Sequence, residues 1–294
     1  MEFGGTMKGT LAPVVTPFRP DGAPDPDRLV EHCRQLMAVN CGLAVFGTNS
    51  EGTSLSVGEK IDLLDRLVDA GLDPSRMMPG TGHPAVTDTI RITRHAVAKG
   101  CGGVLMLPPY YYKAVTEEGL YRSVADVIEG VGDGRLRVYL YHIPPIAVLG
   151  WSIPLIERLV SDYPGIVVGM KDSTGDEAHS RSICEAFPGW GLFVGSEMYL
   201  KSAMGFGAVG VISALCNVNA RLIVELYRGW DGPDGDRLQA RCREIRSTFQ
   251  KYDVIAAMKT AIADARADPV WRTLRPPLVE LADDKVAALR DDLE

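Results

Sequence analysis

The sequence of 294 residues lacks several patterns that would assign it to common protein classes. It has no run of about 18 consecutive apolar residues, so we expect no membrane-spanning helix. Its first residues include no long apolar stretch, so we expect no signal peptide. No basic stretch dominates a chain whose net charge is −7, and nucleic acid is therefore not an expected partner.

Motifs for metal, redox and serine chemistry are also missing. The six cysteines include no Cys-x-x-Cys pair and stand in apolar segments, which predicts reduced thiols in a cytoplasmic protein. The five histidines form no His-x-His or His-Glu-x-x-His pair, and there is no Gly-x-Ser-x-Gly elbow. No glycine-rich dinucleotide fingerprint follows the first apolar run. We therefore expect neither a metal nor a cofactor.

What the sequence does contain is a regular alternation of short apolar runs with longer amphipathic stretches. The eight runs are Thr10–Val15, Leu43–Phe46, Arg76–Pro79, Gly103–Leu107, Arg137–Tyr141, Ile166–Lys171, Gly191–Val194 and Ala208–Ile212. Such alternation predicts a parallel α/β sheet, and a doubly wound sheet would also fit it. Eight units favour closure into a (β/α)8 TIM barrel. We predict a single domain over 1–294, with the barrel over 8–230 and a C-terminal helical extension over 231–294 packed on its outside.

Lys171 is the most informative single residue, because barrel enzymes place their active sites at the carboxyl ends of the strands. It ends the sixth run, where the preceding Ile166–Met170 carries no charge. Lysine is rarely buried without a function, and desolvation lowers the pKa of a buried ammonium group. A neutral amine can attack a ketone to form a Schiff base. From this residue alone, a lysine that reaches solvent at the strand end stays an open alternative.

The neighbours of Lys171 favour a catalytic role for this residue. Side chains alternate along a strand, so Gly169, Lys171 and Ser173 should share a face, with Gly169 leaving room beneath the amine. On the adjacent fifth run, Tyr139 and Tyr141 share a face in the same way. A tyrosine hydroxyl beside a Schiff base can move the protons that carbinolamine dehydration and C–C cleavage require. An aromatic that only packs the barrel mouth remains the alternative.

Two further strand ends carry weaker signals. The segment Gly47–Glu51 turns from strand to helix, where successive backbone N–H groups can hold a carboxylate and Thr48 can add its hydroxyl. An ordinary turn is the alternative. The segment Tyr110–Tyr112 is a triple tyrosine of the kind that marks an interface, and an interface can complete an active site.

In this order and spacing, the strand ends resemble the dihydrodipicolinate synthase / N-acetylneuraminate lyase superfamily of class I pyruvate-dependent aldolases, over nearly the whole chain. The matching motifs are Val15-Thr-Pro-Phe18, Gly47-Thr48-x-x-Glu51, Pro109-Tyr-Tyr111, Tyr141-x-x-Pro144, Gly169-x-Lys171-Asp-Ser-x-Gly175 and Gly210-x-Ile212-Ser213. The resemblance implies a Schiff-base lyase that joins or splits pyruvate and an aldehyde. It also implies a homotetramer assembled as a dimer of dimers.

The resemblance implies catalytic roles for four residues. Lys171 would form the Schiff base, and Tyr141 would relay protons above it. Thr48 would link Tyr141 toward Tyr111, which in this family often comes from a neighbouring subunit.

It also implies binding roles. Thr48 and Asn49 would hold the pyruvate carboxylate, and the Ile212 carbonyl would line the pocket. Ser173 would be available to hydrogen-bond a substrate hydroxyl near the Schiff base.

Two departures from the family pattern bear on the substrate. Asn49 stands where the synthases usually have a second threonine, and Ile146 where they have an arginine that grips the carboxylate of aspartate semialdehyde. A buried isoleucine cannot make that contact, so we expect an uncharged aldehyde, with Lys113 as the nearest other cation in sequence. The alternatives are a true 4-hydroxy-tetrahydrodipicolinate synthase, a 2-keto-3-deoxy sugar acid dehydratase, a pyridoxal-phosphate barrel and a catalytically silent barrel that binds a keto acid.

Overall fold

The computed structural model describes residues 6–293 and shows one parallel sheet wrapped by helices. Its seven strands have the order β2-β1-β7-β6-β5-β4-β3. They are β1 Gly9–Ala12, β2 Gly42–Leu43, β3 Val104–Met106, β4 Val138–His142, β5 Val167–Asp172, β6 Gly191–Val194 and β7 Gly210–Ile212. The alternation of strands with helices confirms the predicted α/β class.

Twelve α-helices are found within the described range 6–293. They are α1 Pro26–Ala38, α2 Val57–Asp69, α3 Val86–Ala98, α4 Glu117–Val131, α5 Pro144–Ala147, α6 Ile153–Asp162, α7 Glu177–Ala186, α8 Leu200–Gly205, α9 Cys216–Arg228, α10 Gly235–Phe249, α11 Val254–Arg266 and α12 Asp283–Leu293. No helix of this range is long and apolar enough to cross a membrane.

Side-chain caps explain where several helices begin. The Asp25 carboxylate accepts a hydrogen bond from the backbone N–H of Arg28, and Pro26 occupies the first turn of α1. Ser56 and Glu59 form a reciprocal capping box at the start of α2. These caps use the orphan N–H groups of the first turn, which stabilises each helix start by about 1 kcal/mol.

The predicted third strand is the main difference from the sequence-based expectation. Residues 77–81 form no continuous strand, although their backbone hydrogen-bonds to both edges of the sheet. The Met78 N–H donates to the Leu43 carbonyl at 2.7 Å, and the Leu105 N–H donates to the Pro79 carbonyl at 2.9 Å. Only isolated parallel bridges, Leu43 to Met77 and Gly80 to Leu105, are present. Pro79 has no N–H to donate, which interrupts the ladder at this point.

Two helical segments have features that the alternation of apolar runs does not predict. Helix α9 is interrupted at Asn219, which has φ −142° and ψ 33°. The short helix α5 follows β4 almost directly. It begins with two prolines, which fix φ in the helical range and lack the N–H groups that a first turn leaves unpaired.

The core has two parts, because both faces of the sheet are buried. One cluster lies between the strands and the surrounding helices. A second, inner cluster contains one or two residues from most strands, among them Leu11, Leu105, Tyr139, Phe193 and Ile212. Tyr141 lies at the top of this inner cluster, at the carboxyl ends of the strands. The inner packing therefore supports the residues at the carboxyl ends of the strands.

Candidate active site at the carboxyl ends of the strands

A cavity of about 430 Å³ opens at the carboxyl ends of β4, β5 and β6. This volume lies within the range of roughly 300–1,000 Å³ that small-molecule sites occupy. Six of the eight residues that the sequence singled out line it: Thr48, Asn49, Tyr141, Ile146, Lys171 and Ser173. Residues far apart in sequence thus meet in one pocket. A larger groove on the surface of α11 and α12 contains none of them.

The centre of the cavity is a chain of three polar groups. Tyr141 and Lys171 lie opposite each other in the register of β4 and β5. The Lys171 Nζ donates to the Tyr141 hydroxyl at 3.2 Å, and the Thr48 hydroxyl lies 3.3 Å from the same oxygen. Both Lys171 and Tyr141 are only 2% exposed. The amine is therefore held next to a proton donor and acceptor and is shielded from bulk water.

The electrostatics around Tyr141 favour proton transfer. Burial alone would raise the pKa of this phenol. The positive charge of Lys171 and the hydrogen bonds with Thr48 and Lys171 outweigh burial, so that the net pKa of Tyr141 is lowered from its ordinary value. A phenol with a lowered pKa releases its proton more readily, which suits a group that must both give and take protons beside the amine.

Gly169 was expected to leave room beneath the Lys171 amine, but the structure uses this space for another side chain. A Cβ at Gly169 would lie 2.5 Å from the ring of Tyr139, so the missing side chain accommodates that ring rather than the amine. Tyr139 also packs edge-to-face on Phe193, with ring centroids 5.8 Å apart. Phe193 in turn pairs with Lys171 across β5 and β6. The amine therefore lies above the packed rings of Tyr139 and Phe193.

The segment after Lys171 is fixed by a buried carboxylate. Asp172 is fully buried and accepts hydrogen bonds from the Ser180 hydroxyl at 2.6 Å and from the Thr174 N–H at 3.0 Å. His179 lies 2.9 Å from the same carboxylate, whose hydrogen bond raises the histidine's pKa. Gly195 leaves space for the Ser173 hydroxyl, since a Cβ there would lie 2.3 Å from it. These contacts orient both Lys171 and Ser173 toward the cavity.

Three side chains of types that can bind metals lie close together beside the site. The possible ligand atoms of His142, Asp172 and His179 are within 4.8 Å of one another. The two imidazole rings are stacked, with centroids 4.7 Å apart and planes 9° from parallel. Lone pairs of imidazole nitrogens lie in the ring plane, so stacked rings do not aim two of them at one ion. The His142 Nδ1 already accepts the Trp151 N–H at 3.0 Å, and burial lowers the pKa of His142 to about 4. The geometry fits a hydrogen-bonded support better than a metal centre.

The C-terminal helices hold the Thr48 turn in place. Glu51 ends this turn in the left-handed conformation, with φ 54°. Its carboxylate pairs with the Lys259 ammonium of α11, and both side chains are fully buried. Glu51 also accepts the Arg275 N–H at 3.0 Å. The extension therefore contributes to the site, which the expectation of helices packed outside the barrel did not include.

The remaining residues of the expected site lie outside this cavity or at its rim. Tyr111 is 72% exposed and does not line the cavity. Ile212 is fully buried beside Leu11 and is not a lining residue either. Ile146 does line the cavity, but it is 61% exposed, so the expectation of a buried isoleucine is wrong for the single chain. Its position on the exposed first turn of α5 explains the exposure.

Comparisons with known proteins place this arrangement in a family. Residues 6–294 match the model of the dihydrodipicolinate synthetase family. The chain belongs to this family. An uncharacterized DapA-like lyase from Chloroflexus aurantiacus is 32% identical over 96% of this chain and 95% of its own. The chain is accordingly a lyase of the dihydrodipicolinate synthetase family.

Solved structures agree with this assignment. Dihydrodipicolinate synthase from Agrobacterium tumefaciens superposes with a TM-score of 0.90, at 27% identity and with 98% of both chains covered. A prophage protein of the dihydrodipicolinic acid synthase family from E. coli K12, solved in complex with pyruvate, gives a TM-score of 0.88 at 25% identity, with 98% of this chain and 97% of that chain covered.

Arg246 and Gln250 are among the lining residues that sequence reasoning missed. They stand four positions apart at the end of α10 and so share a helix face. The suggested alternative cation, Lys113, does not line the cavity; its Nζ donates to the carbonyls of Tyr110 and Ala147. No sequence signal distinguishes Arg246 from the other arginines of an arginine-rich helix.

Proposed function

We propose that this family member is a class I aldolase in which Lys171 forms a Schiff base with pyruvate. The observation that carries the proposal is the contact of the buried Lys171 amine with the Tyr141 hydroxyl at 3.2 Å, inside a cavity at the strand ends. The family relative from E. coli K12 was solved with pyruvate, which supports the same keto acid here. No metal and no cofactor is needed for this chemistry.

The proposed reaction starts with attack of the neutral Lys171 amine on the pyruvate C2 carbonyl. Tyr141 gives a proton to the departing hydroxyl, so that water leaves and a protonated Schiff base remains. Loss of a proton from the pyruvate methyl carbon then gives an enamine. That carbon attacks the aldehyde, a C–C bond forms, and the aldehyde oxygen takes up a proton. Water adds back at C2 to release the product, and every step can run in reverse.

The other lining residues take binding roles in this proposal. Thr48 and Asn49 sit on the turn beside Lys171, where hydroxyl, amide and backbone N–H groups can hold the pyruvate carboxylate. Ser173 offers a hydroxyl to the substrate. Ile212 would act through its backbone carbonyl alone.

We also infer that the sheet is that of a closed (β/α)8 barrel. Residues 77–81 bond to both β2 and β3 and take the place of the remaining strand. This leaves no free edge, as a barrel requires.

A homotetramer assembled as a dimer of dimers is the proposed assembly. Tyr111 and Tyr112 are more than 70% exposed, and Ile146 and Val148 more than 60%. Apolar and aromatic side chains at such exposure are typical of surfaces that another subunit covers. In this assembly Tyr111 would reach the site of a neighbouring subunit. We propose a cytoplasmic location, which the six free cysteines support.

Product analysis tests the proposal against its enzymatic alternatives. A panel of aldehydes is incubated with pyruvate, and consumption of pyruvate and the products formed are followed. An aldolase consumes pyruvate with the aldehyde and releases it again from the aldol, and Lys171→Ala abolishes both. A 2-keto-3-deoxy sugar acid dehydratase would release water but no pyruvate from its substrate. Binding of pyruvate without turnover of any aldehyde would indicate a silent barrel.

True 4-hydroxy-tetrahydrodipicolinate synthesis is the second candidate function. The structural relative from Agrobacterium tumefaciens is named a dihydrodipicolinate synthase. Against it stands Ile146, which supplies no donor for a carboxylate at the position of the family's arginine. The measurement is kcat/KM for aspartate semialdehyde with pyruvate, compared with a panel of other aldehydes. Highest activity with aspartate semialdehyde would reinstate this function.

A further inference from the structure

A second cavity, of about 500 Å³, lies among the outer helices. Its lining residues belong to α1, α9, α10, α11 and the end of α12, and none of them also lines the strand-end cavity. The volume falls within the range of roughly 300–1,000 Å³ that small-molecule sites occupy. The proposed aldolase reaction takes place elsewhere and gives this cavity no role, so the chemistry of its walls indicates what it binds.

Part of the wall of this cavity is apolar. Ile245 and Phe249 stand four positions apart on α10, so they share a helix face that borders the cavity. Ile262 of α11 and Leu293 of α12 border it as well. Phe249 and Ile262 are buried, but Leu293 is 44% exposed. A hydrocarbon chain in the cavity would cover this leucine and exchange water for apolar surroundings, which is favourable in proportion to the area buried.

The polar part of the wall is positively charged. Arg241 and Arg266 line the cavity, whereas no aspartate or glutamate of residues 6–293 does. The Arg241 Nη1 donates to Glu244 at 2.6 Å. The Arg266 Nη1 donates to Glu31 at 3.2 Å. These carboxylates are not lining residues, and they engage only part of the N–H donors of each guanidinium. Two arginines that are each partly neutralised favour a ligand with a single negative charge.

His32 and Asn217 are buried and complete the polar wall, with hydrogen bonds already made within the protein. The Arg266 Nη2 donates to the His32 Nδ1 at 3.0 Å, and the His32 Nε2 lies 3.1 Å from the Asn217 Oδ1. Burial lowers the pKa of His32 to about 4, so its ring is uncharged at neutral pH and accepts at Nδ1 while it donates at Nε2. Asn217 also accepts the Val15 N–H at 3.0 Å. This wall is therefore formed before a ligand arrives, which lowers the entropic cost of binding.

We propose that this cavity binds a monocarboxylate with a flexible hydrocarbon tail. The carboxylate lies between Arg241 and Arg266, whose planar guanidinium groups match its two oxygens. The tail lies along Ile245 and Leu293. Such a ligand uses both the positive and the apolar parts of the wall, which neither an inorganic anion nor a neutral hydrocarbon would do. The inference goes beyond the proposed aldolase function and does not rest on it.

Calorimetric titration of the full chain tests the proposal, with hexanoate, octanoate and the neutral octanamide as probes. Arg241→Gln removes a positive charge from the wall at an exposed position, so this variant should fold normally. Ile245→Glu places a negative charge in the apolar part of the wall. Arg237→Gln is the matched control, because Arg237 stands on the same helix with a side chain 71% exposed and does not line the cavity. Circular dichroism checks that each variant is folded.

In the wild type and in Arg237→Gln, octanoate should bind one site per chain, about 10- to 20-fold more tightly than hexanoate, because each further buried CH2 raises affinity about fourfold. It should bind about tenfold more tightly than octanamide, at the lower end for a charge-assisted contact because both arginines are already paired. Arg241→Gln should weaken octanoate binding about three- to tenfold and leave octanamide binding unchanged. Ile245→Glu should weaken octanoate binding by at least about tenfold.

Three results would overturn the proposal: octanoate fails to bind the wild type, binds it no more tightly than octanamide, or binds equally to the wild type, Arg241→Gln and Ile245→Glu. Saturating pyruvate should leave octanoate binding in place, since the two cavities share no lining residue. Complete competition by pyruvate would place octanoate in the strand-end cavity and would also overturn the proposal. Borohydride trapping of pyruvate on Lys171 is independent of all these results, so a failure here leaves the aldolase function untouched.

Discussion

Lys259→Met should destabilise the protein strongly, because it leaves the Glu51 carboxylate buried without its ion pair. Both side chains are fully buried, and the Lys259 ammonium also donates to the Thr273 carbonyl at 2.9 Å. The ammonium lies 4.6 Å from the centre of the Phe18 ring as well. After the substitution, Glu51 still accepts the Arg275 N–H. Removing one partner of a buried pair costs about 3–5 kcal/mol.

This loss of folding free energy should lower both the melting temperature and the activity. At roughly 2–4 °C per kcal/mol for a large domain, Lys259→Met should lower Tm by about 6–20 °C. Since Glu51 ends the turn that carries Thr48, kcat should fall in the folded variant at low temperature. Methionine matches the length and apolar stem of lysine, so lost packing contributes little.

Thermal unfolding followed by circular dichroism, with a double-mutant cycle, is the assay. Glu51→Gln alone should also destabilise, but Lys259→Met with Glu51→Gln should cost less than the two single losses added together, because no unpaired charge remains. Strictly additive losses, or a Tm change below about 2 °C for Lys259→Met, would refute the idea that this pair fastens α11 to the Thr48 turn.

Three further predictions address catalysis, assembly and acid stability. Tyr141→Phe should lower kcat by about 100- to 10,000-fold with a small change in KM, since the phenol moves protons; a change in KM alone would make Tyr141 a binding or packing residue. Mixed oligomers of inactive Lys171→Ala and inactive Tyr111→Phe subunits should regain some activity if Tyr111 acts in the neighbouring subunit, and no recovery in verified mixed oligomers would argue against it. Hydrogen bonds from Arg275 hold the pKa of Glu59 at about 2, below its ordinary 4.5. The stability that these hydrogen bonds give to the folded protein is therefore present above pH 4.5 and lost as the pH falls toward 2. Glu59→Gln should therefore flatten the dependence of Tm on pH in this window.

Much of the fold follows from local sequence signals. Apolar runs such as Ile166–Met170 predict buried strands, and the structure confirms this one. The Asp25 and Ser56 side chains are of the types that cap helix starts, and both do so here. The strand at 76–79 was only partly predictable: the apolar run indicated its place in the sheet, while Pro79 prevents a continuous ladder. Local signals also gave no warning of the helix at Pro144–Ala147.

The residues of the site also divide into those that the sequence predicts and those that it does not. Lys171, Tyr141 and Thr48 could be anticipated, because each stands at the end of an apolar run and a parallel sheet brings the carboxyl ends of its strands to one edge. Arg246 could not, since its place depends on contacts of Gln239 and Arg243 with a turn about 40 residues earlier in the chain. The exposure of Ile146 likewise depends on tertiary placement.

The claim at the centre of this account is that the Lys171 amine bonds covalently to pyruvate. The direct measurement is reduction with borohydride in the presence of pyruvate, followed by mass spectrometry of the intact protein and of its peptides. A Schiff base at Lys171 predicts one reduced pyruvate per chain, on Lys171, with no addition in Lys171→Ala. An unmodified Lys171, under conditions that trap pyruvate on another member of the family, would contradict it.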